Sequence, residues 1–221
     1  MPVRWRSYAS QSRQLWSLGE DVLVMVAPDG ERLFVHGRWG DVEVTDRSDV
    51  VQEALSRMSL GPVSLENISA LYDNFVRWRR GLAEPCEEWD RVHEALDTLG
   101  GYVVASLGHA DASGPLLSAV AERPDAVFAL PTVLDDEPIG VRPRAAILPL
   151  NGELTLVCPA APYRVVLHRA PALTVTQTLL TQCPATIVQL ADVEGLDRRL
   201  VADIVAYLIG AGIVFSVHVE T

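Results

Sequence analysis

Twice along its length this chain sets three short apolar strands ahead of three amphipathic helices, and that repeated order most limits what it can fold into. The clearer copy lies between Arg144 and Val219. Residues 145–150 (AAILPL) and 153–158 (ELTLVC) flank Asn151-Gly152, the dipeptide best suited to a two-residue type I′ turn, so the stretch reads as a β-hairpin. After a turn at 159–162, the segment Tyr163–Leu167 (YRVVL) supplies a third strand. Helices are expected over 172–181, 185–191 and 197–209. In the last of these Leu200, Val201, Ile204, Leu208 and Ile209 share a face, while Arg198, Arg199 and Asp203 lie on the other. Gly210-Ala211-Gly212 ends that helix, and a final strand is expected over 213–219.

The first half repeats the order. Residues 22–27 (VLVMVA), a turn at Pro28-Asp29-Gly30, residues 32–36 (RLFVH), a turn at Gly37-Arg38-Trp39-Gly40 and residues 41–44 (DVEV) read as three strands. A helix opening at Ser48-Asp49 and running to Arg57 puts Val51, Ala54, Leu55 and Met58 on one side, and Leu60-Gly61-Pro62 breaks it. A second helix is expected over 64–72. The stretch 74–84, with Arg77, Arg79 and Arg80 around Trp78, reads as an inserted, solvated helical turn. A third helix over 89–99 carries Trp89, Val92, Leu96 and Leu99 on one side and stops at Gly100-Gly101. A strand over 102–107 follows, and residues 116–120 are expected to pair with it as a small wing. Residues 122–143, with four Pro and the acidic trio Asp135, Asp136 and Glu137, are expected to be a linker, and residues 1–18 a packed lead-in. The expected fold class is therefore α+β: two tandem winged-helix-like units, each a three-stranded sheet plus three helices, over 1–121 and 144–221.

Charge separates the two uses to which such a unit is put. One is DNA binding through the third helix; the other is peptide binding, in which an extended segment adds to the edge of the third strand against the third helix. The net charge of −11 opposes affinity for nucleic acid or anionic membrane. Asp90, Glu94 and Asp97 sit on the first unit's third helix, and Arg198 and Arg199 alone supply positive charge on the second's. Strand addition depends on backbone groups and is indifferent to net charge, so it fits better. A DNA-binding regulator using Arg198 and Arg199, and a purely structural dimerisation subunit, are the alternatives.

Certain runs also resemble a known family: Arg38-Trp39-Gly40-Asp41-Val42, residues 58–67 (MSLGPVSLEN), residues 163–169 (YRVVLHR) and residues 201–208 (VADIVAYL). They are similar to the N-terminal, non-flavin region of actinobacterial SagB-type dehydrogenases, flavin enzymes that oxidise azolines to thiazoles and oxazoles in ribosomally made peptides. The resemblance implies tandem peptide-clamp modules like RiPP recognition elements. It further implies a precursor-peptide leader as one partner, an FMN-dependent dehydrogenase subunit as another, and no cofactor in this chain. Two such units fill the 221 residues, so the expectation is a non-catalytic accessory part, either one subunit of a split dehydrogenase or the peptide-binding part of a longer enzyme. The expected peptide seats are Tyr163, Arg164, Val165, Val166 and Leu167 with Arg198, Val201, Ile204 and Leu208 in the second unit. In the first they are Asp41, Val42, Glu43 and Val44, backed by Val92 and Leu96.

Other chemistry has no anchor in the sequence. His36, His93, His109, His168 and His218 stand apart, without the spacing of a metal site, and Cys86, Cys158 and Cys183 form no CxxC pair. There is no GxSxG elbow, no GxGxxG and no P-loop. The N-terminus lacks the apolar core of a secretory signal and no run is long enough to span a bilayer, so a cytoplasmic location is expected, with possible homo- or hetero-oligomers.

Overall fold

Turn residues set where the strands begin and end. In the computed structural model, which describes residues 12–27, 32–82, 84, 86–111 and 114–217, Asn151 and Gly152 take positive φ values of 52° and 85°, as a type I′ turn requires. In chain order the elements are β1 (Ser12–Leu18), β2 (Leu23–Val26), β3 (Leu33–Gly37), β4 (Gly40–Val44), α1 (Asp49–Met58), α2 (Ser69–Arg79), α3 (Glu87–Leu99), β5 (Val103–His109) and β6 (Pro115–Ala121). They continue as β7 (Ile139–Val141), β8 (Ala146–Leu150), β9 (Glu153–Val157), β10 (Tyr163–Leu167), α4 (Ala170–Gln182), α5 (Ile187–Glu194), α6 (Arg198–Gly210) and β11 (Val214–Ser216). The described chain is thus mixed α+β, with six helices and several antiparallel sheets. The expected turn at Pro28-Asp29-Gly30 and the end of the closing strand, with His218, lie outside the described residues.

Two units account for these elements: an N-terminal one of residues 14–105 with 124–127, and a C-terminal one of residues 12–13, 106–123 and 128–217. In the N-terminal unit the sheet order is β2-β3-β4. The register pairs Val24 with Val35 and Val35 with Val42, and Leu33 with Val44. That row faces the core, where Val35, Leu33 and Val44 are buried together with Val51, Leu55, Met58, Leu71, Phe75, Trp89, Val92, Leu96 and Leu99 of the helices. The described part of the expected packed lead-in, residues 12–18, is packed and forms strand β1, which lies beside β5; Trp16 is buried, and it exchanges backbone hydrogen bonds of 2.8 Å in both directions with Val63. The Arg-rich stretch is helical and solvated as far as Arg79. There it forms the last turns of α2, with Phe75 inward against Trp89 and the exposed Arg77 and Arg79 at the helix C-terminus, where positive charge suits the macrodipole.

In the C-terminal unit the sheet order is β5-β6-β10-β9-β8. Helix α6 opens on Asp197, whose carboxylate accepts the backbone N–H groups of Arg199 at 2.9 Å and Leu200 at 3.2 Å. Residues 122–143 do not behave as a linker. Phe128 stacks edge-on to Tyr163 at 5.5 Å and against Tyr207 at 5.2 Å, Val133 and Ile139 are buried, and β7 pairs with β11. Their prolines interrupt secondary structure without preventing the apolar side chains between them from entering the core.

One glycine closes α3 by necessity. Gly100 has φ +50°, and a Cβ there would stand 2.7 Å from the carbonyl oxygen of Pro124, a backbone atom that cannot swing aside. Gly100→Ala is expected to cost about 2–4 kcal/mol through strain and that clash, lowering the thermal unfolding midpoint by roughly 5–15 °C in circular dichroism. Gly81→Ala, also at positive φ but with nothing within 4 Å of the added carbon, should cost only about 1 kcal/mol.

Candidate functional site

Strand addition needs an edge with unpaired backbone groups, and the two predicted seats differ in this respect. Strand β10 has no free edge. It pairs with β9 on one side and, over five residue pairs from Tyr163↔Ala121 to Leu167↔Leu117, antiparallel with β6 on the other. Tyr163, Val165, Val166 and Leu167 are buried, and Arg164 forms an ion pair with Glu122. On α6, Val201, Ile204 and Leu208 are each 0% exposed, so the core consumes the side chains expected to line a groove. Arg198 is exposed at the helix start, 3.8 Å from Asp192. The predicted seat at Tyr163–Leu167 is therefore corrected: the chain's own β6 occupies the position an added peptide would take.

Strand β4 is different. It is the last strand in its sheet, with β3 on one side and, among the described residues, no strand on the other. The two-residue turn at Arg38-Trp39 closes on the Gly37↔Gly40 pair, so Val42 and Val44 exchange hydrogen bonds with Val35 and Leu33. The alternation turns the N–H and C=O groups of Asp41 and Glu43 outward. Their side chains are exposed, Val42 is half-buried and Val44 buried, and α3 packs against the strand through its apolar side. Val92 and Leu96, 1% and 5% exposed, belong to that supporting core and offer little surface of their own.

Both ends of β4 are fixed by residues that the sequence did not single out. At its start Tyr102 donates a hydrogen bond to the Gly40 carbonyl at 3.3 Å and stacks edge-on to Trp39 at 5.4 Å; Arg38 lies 4.2 Å over the Trp39 ring. Gly37 permits this approach, since a Cβ there would stand 2.9 Å from the tyrosine ring. Beyond its end Arg91 of α3 donates to Asp46 at 3.4 Å and to Glu87 at 2.6 Å. Hydrogen bonds from Ser48, with Arg91 adding attraction, hold the Asp46 carboxyl below its ordinary value of 3.8. Within the strand, Asp41 lies 2.5 Å from His36 Nδ1.

A polar chain in the C-terminal unit runs from the buried Ser106 and Ser118 out to the surface at His168: Ser118 Oγ is 2.7 Å from Ser106 Oγ and 2.9 Å from His168 Nε2, while Glu153 lies 3.6 Å from His168 Nδ1. These contacts satisfy the buried hydroxyls of Ser106 and Ser118. Ser118 sits in mid-strand with a neighbouring strand on each side. Among the described residues, no group of three or more His, Cys, Asp or Glu is placed to hold a metal ion, and no helix is long and apolar enough to cross a membrane.

No family model matches this chain, and no curated protein matches it.

Two histidines give stability a pH dependence. Burial lowers the pKa of His93, whose Nδ1–H donates to the Trp89 carbonyl at 2.8 Å, and burial also lowers that of His168 against the opposing attraction of Glu153. Both sit below the ordinary 6.5 when folded, so on acidification the unfolded chain takes up protons first. Their contribution is fully present above about pH 6.5 and is lost as pH falls toward the folded values, by at most about 1.4 kcal/mol per pH unit for His93 and by less for the more exposed, solvent-screened His168. The urea midpoint should accordingly be lower at pH 5.5 than at 7.5, with a smaller drop in His93→Gln. The Asp46 contribution is lost only as pH falls below 3.8, in a separate window.

Proposed function

We propose that this chain is a non-catalytic peptide-binding module made of two tandem winged-helix-like units. It captures the leader of a ribosomally made precursor peptide and presents it to an FMN-dependent azoline dehydrogenase subunit in the cytoplasm. The observation that carries this reading is the open outer edge of β4, backed by α3 and held at both ends by Tyr102 and Arg91. An edge of this kind offers main-chain donors and acceptors to an extended peptide, and the side chains beside it supply selectivity. The similarity of residues 38–42 and 58–67 to the SagB-type region supports the choice of peptide and partner. In this reading FMN belongs to the partner subunit.

The two units take different roles. Both present three strands followed by three helices, but β6 closes the edge of β10, so binding falls to the N-terminal unit and the C-terminal one is structural. A DNA-binding role is opposed by the exposed Glu87, Glu88, Asp90, Glu94 and Asp97 of α3, and by the burial of α6, which leaves Arg198 and Arg199 alone at its start.

Glu43→Pro tests the seat directly, because it removes an outward N–H that β3 does not use and puts a ring in the path of a partner strand. Fluorescence-anisotropy titration with a labelled precursor leader should give micromolar or tighter binding to the wild-type chain and at least about tenfold weaker binding to Glu43→Pro, the loss of one or two backbone hydrogen bonds at about 1 kcal/mol each plus steric blockage. Thermal stability should change little. Equal affinity for both proteins, or no binding by the wild type alone or with the dehydrogenase, would refute the proposal.

A further inference from the structure

Resting on strand addition at β4, the geometry also specifies what the added strand is made of. The C-terminal unit contains an internal example of such an addition. Strand β6 lays Leu117, Ala119 and Ala121 across from Leu167, Val165 and Tyr163 on the core side, and Ser118 and Val120 across from Val166 and Arg164 on the other. The charge of Arg164 is met by Glu122, one residue beyond the strand. The added strand is thus small and apolar inward, and carries a charge complementary to that of its host.

Strand β4 keeps the apolar inward positions, Val42 and Val44, but reverses the charge outward. Asp41 and Glu43 occupy the outward face, both exposed. Asp41 has His36 beside it; Glu43 stands across from Phe34 and, among the described residues, has no cationic partner. The same two residues turn their backbone N–H and C=O toward the open edge, so an antiparallel partner forms hydrogen-bonded pairs with them and places its own side chains directly opposite. Opposite charges at such positions stabilise and like charges destabilise. A second copy of β4 would set carboxylate against carboxylate, which disfavours self-pairing at this edge.

We propose that the β4 edge takes an extended basic peptide of the pattern Lys/Arg–small apolar–Lys/Arg, running antiparallel, with its basic residues across from Asp41 and Glu43 and the apolar residue across from Val42. The net charge of −11 adds long-range attraction for such a segment but no register. The pairing supplies the register.

Three fluorescein-labelled peptides of equal length, alternating Lys-Val, Ser-Val and Glu-Val, titrated into the full chain separate the possibilities. Lys-Val should bind about twofold to thirtyfold more tightly than Ser-Val, the range of two opposite-charge cross-strand pairs, and Glu-Val should bind least. Asp41→Asn/Glu43→Gln should bring Lys-Val to the Ser-Val level, whereas Glu94→Gln/Asp97→Asn, which removes the same charge elsewhere, should keep the preference. Equal affinity for all three peptides, with binding still lost in Glu43→Pro, overturns the charge assignment and leaves strand addition standing. Lys-Val binding that is the same in Glu43→Pro as in Glu43→Gln overturns strand addition itself. Failure of all three peptides to bind overturns this proposal.

Discussion

Every backbone N–H and C=O in a sheet must find a partner or face water, and the arrangement of this protein follows from how its strands meet that requirement. Strand β10 meets it twice, with β9 on one side and β6 on the other. With both edges satisfied it can be buried on both faces, and Val165 is 0% exposed, as are Val201, Ile204 and Leu208 of α6. Strand β4 meets it once. Among the described residues no strand meets its outward groups at Asp41 and Glu43, and the acidic side chains at the same positions make the edge a poor partner for its own copies while suiting it to a complementary chain.

An open edge is useful only if it is held still, and the N-terminal unit devotes several residues to that. The Gly37 to Gly40 turn is seated on Tyr102, whose ring occupies space that any side chain at position 37 would need. At the other end Arg91 ties the segment after β4 to α3, and α3 is fixed in turn by the stack of Trp89 against Phe75 and by burial of Val92, Leu96 and Leu99. Fixing the strand before a peptide arrives removes an ordering cost that would otherwise weaken association.

Much of this was legible from local sequence. Asn151-Gly152, the Gly37 to Gly40 turn and Asp197 carry their own conformational signals, and β4, β10, α3 and α6 lie within a few residues of where those signals put them. What local patterns do not carry is pairing between distant segments. Residues 116–120 read as a wing for β5, yet the second partner of the strand they form, β10, lies more than forty residues on. The near-continuous apolar run LLSAVA was the available clue, because a strand buried on both faces has no reason to alternate. Strand β1 was missed because SRQLWSL lacks both alternation and β-branched residues, and its place is set by β5 and by the bridge from Trp16 to Val63. The prolines of 122–143 read as a linker because they break regular structure, whereas Val133 and Ile139 between them are core residues and Phe128 packs against Tyr207.

The central claim is that β4, and not β10, receives the added strand, and amide hydrogen exchange at single-residue resolution tests it most directly. In the free protein the amides of Asp41 and Glu43 should exchange fast while Val42 and residues 163–167 are protected. On saturation with peptide, Asp41 and Glu43 should become protected and residues 163–167 should not change. Protection of Asp41 and Glu43 already in the free protein, or a peptide-induced change at Tyr163–Leu167 in place of β4, would contradict the account.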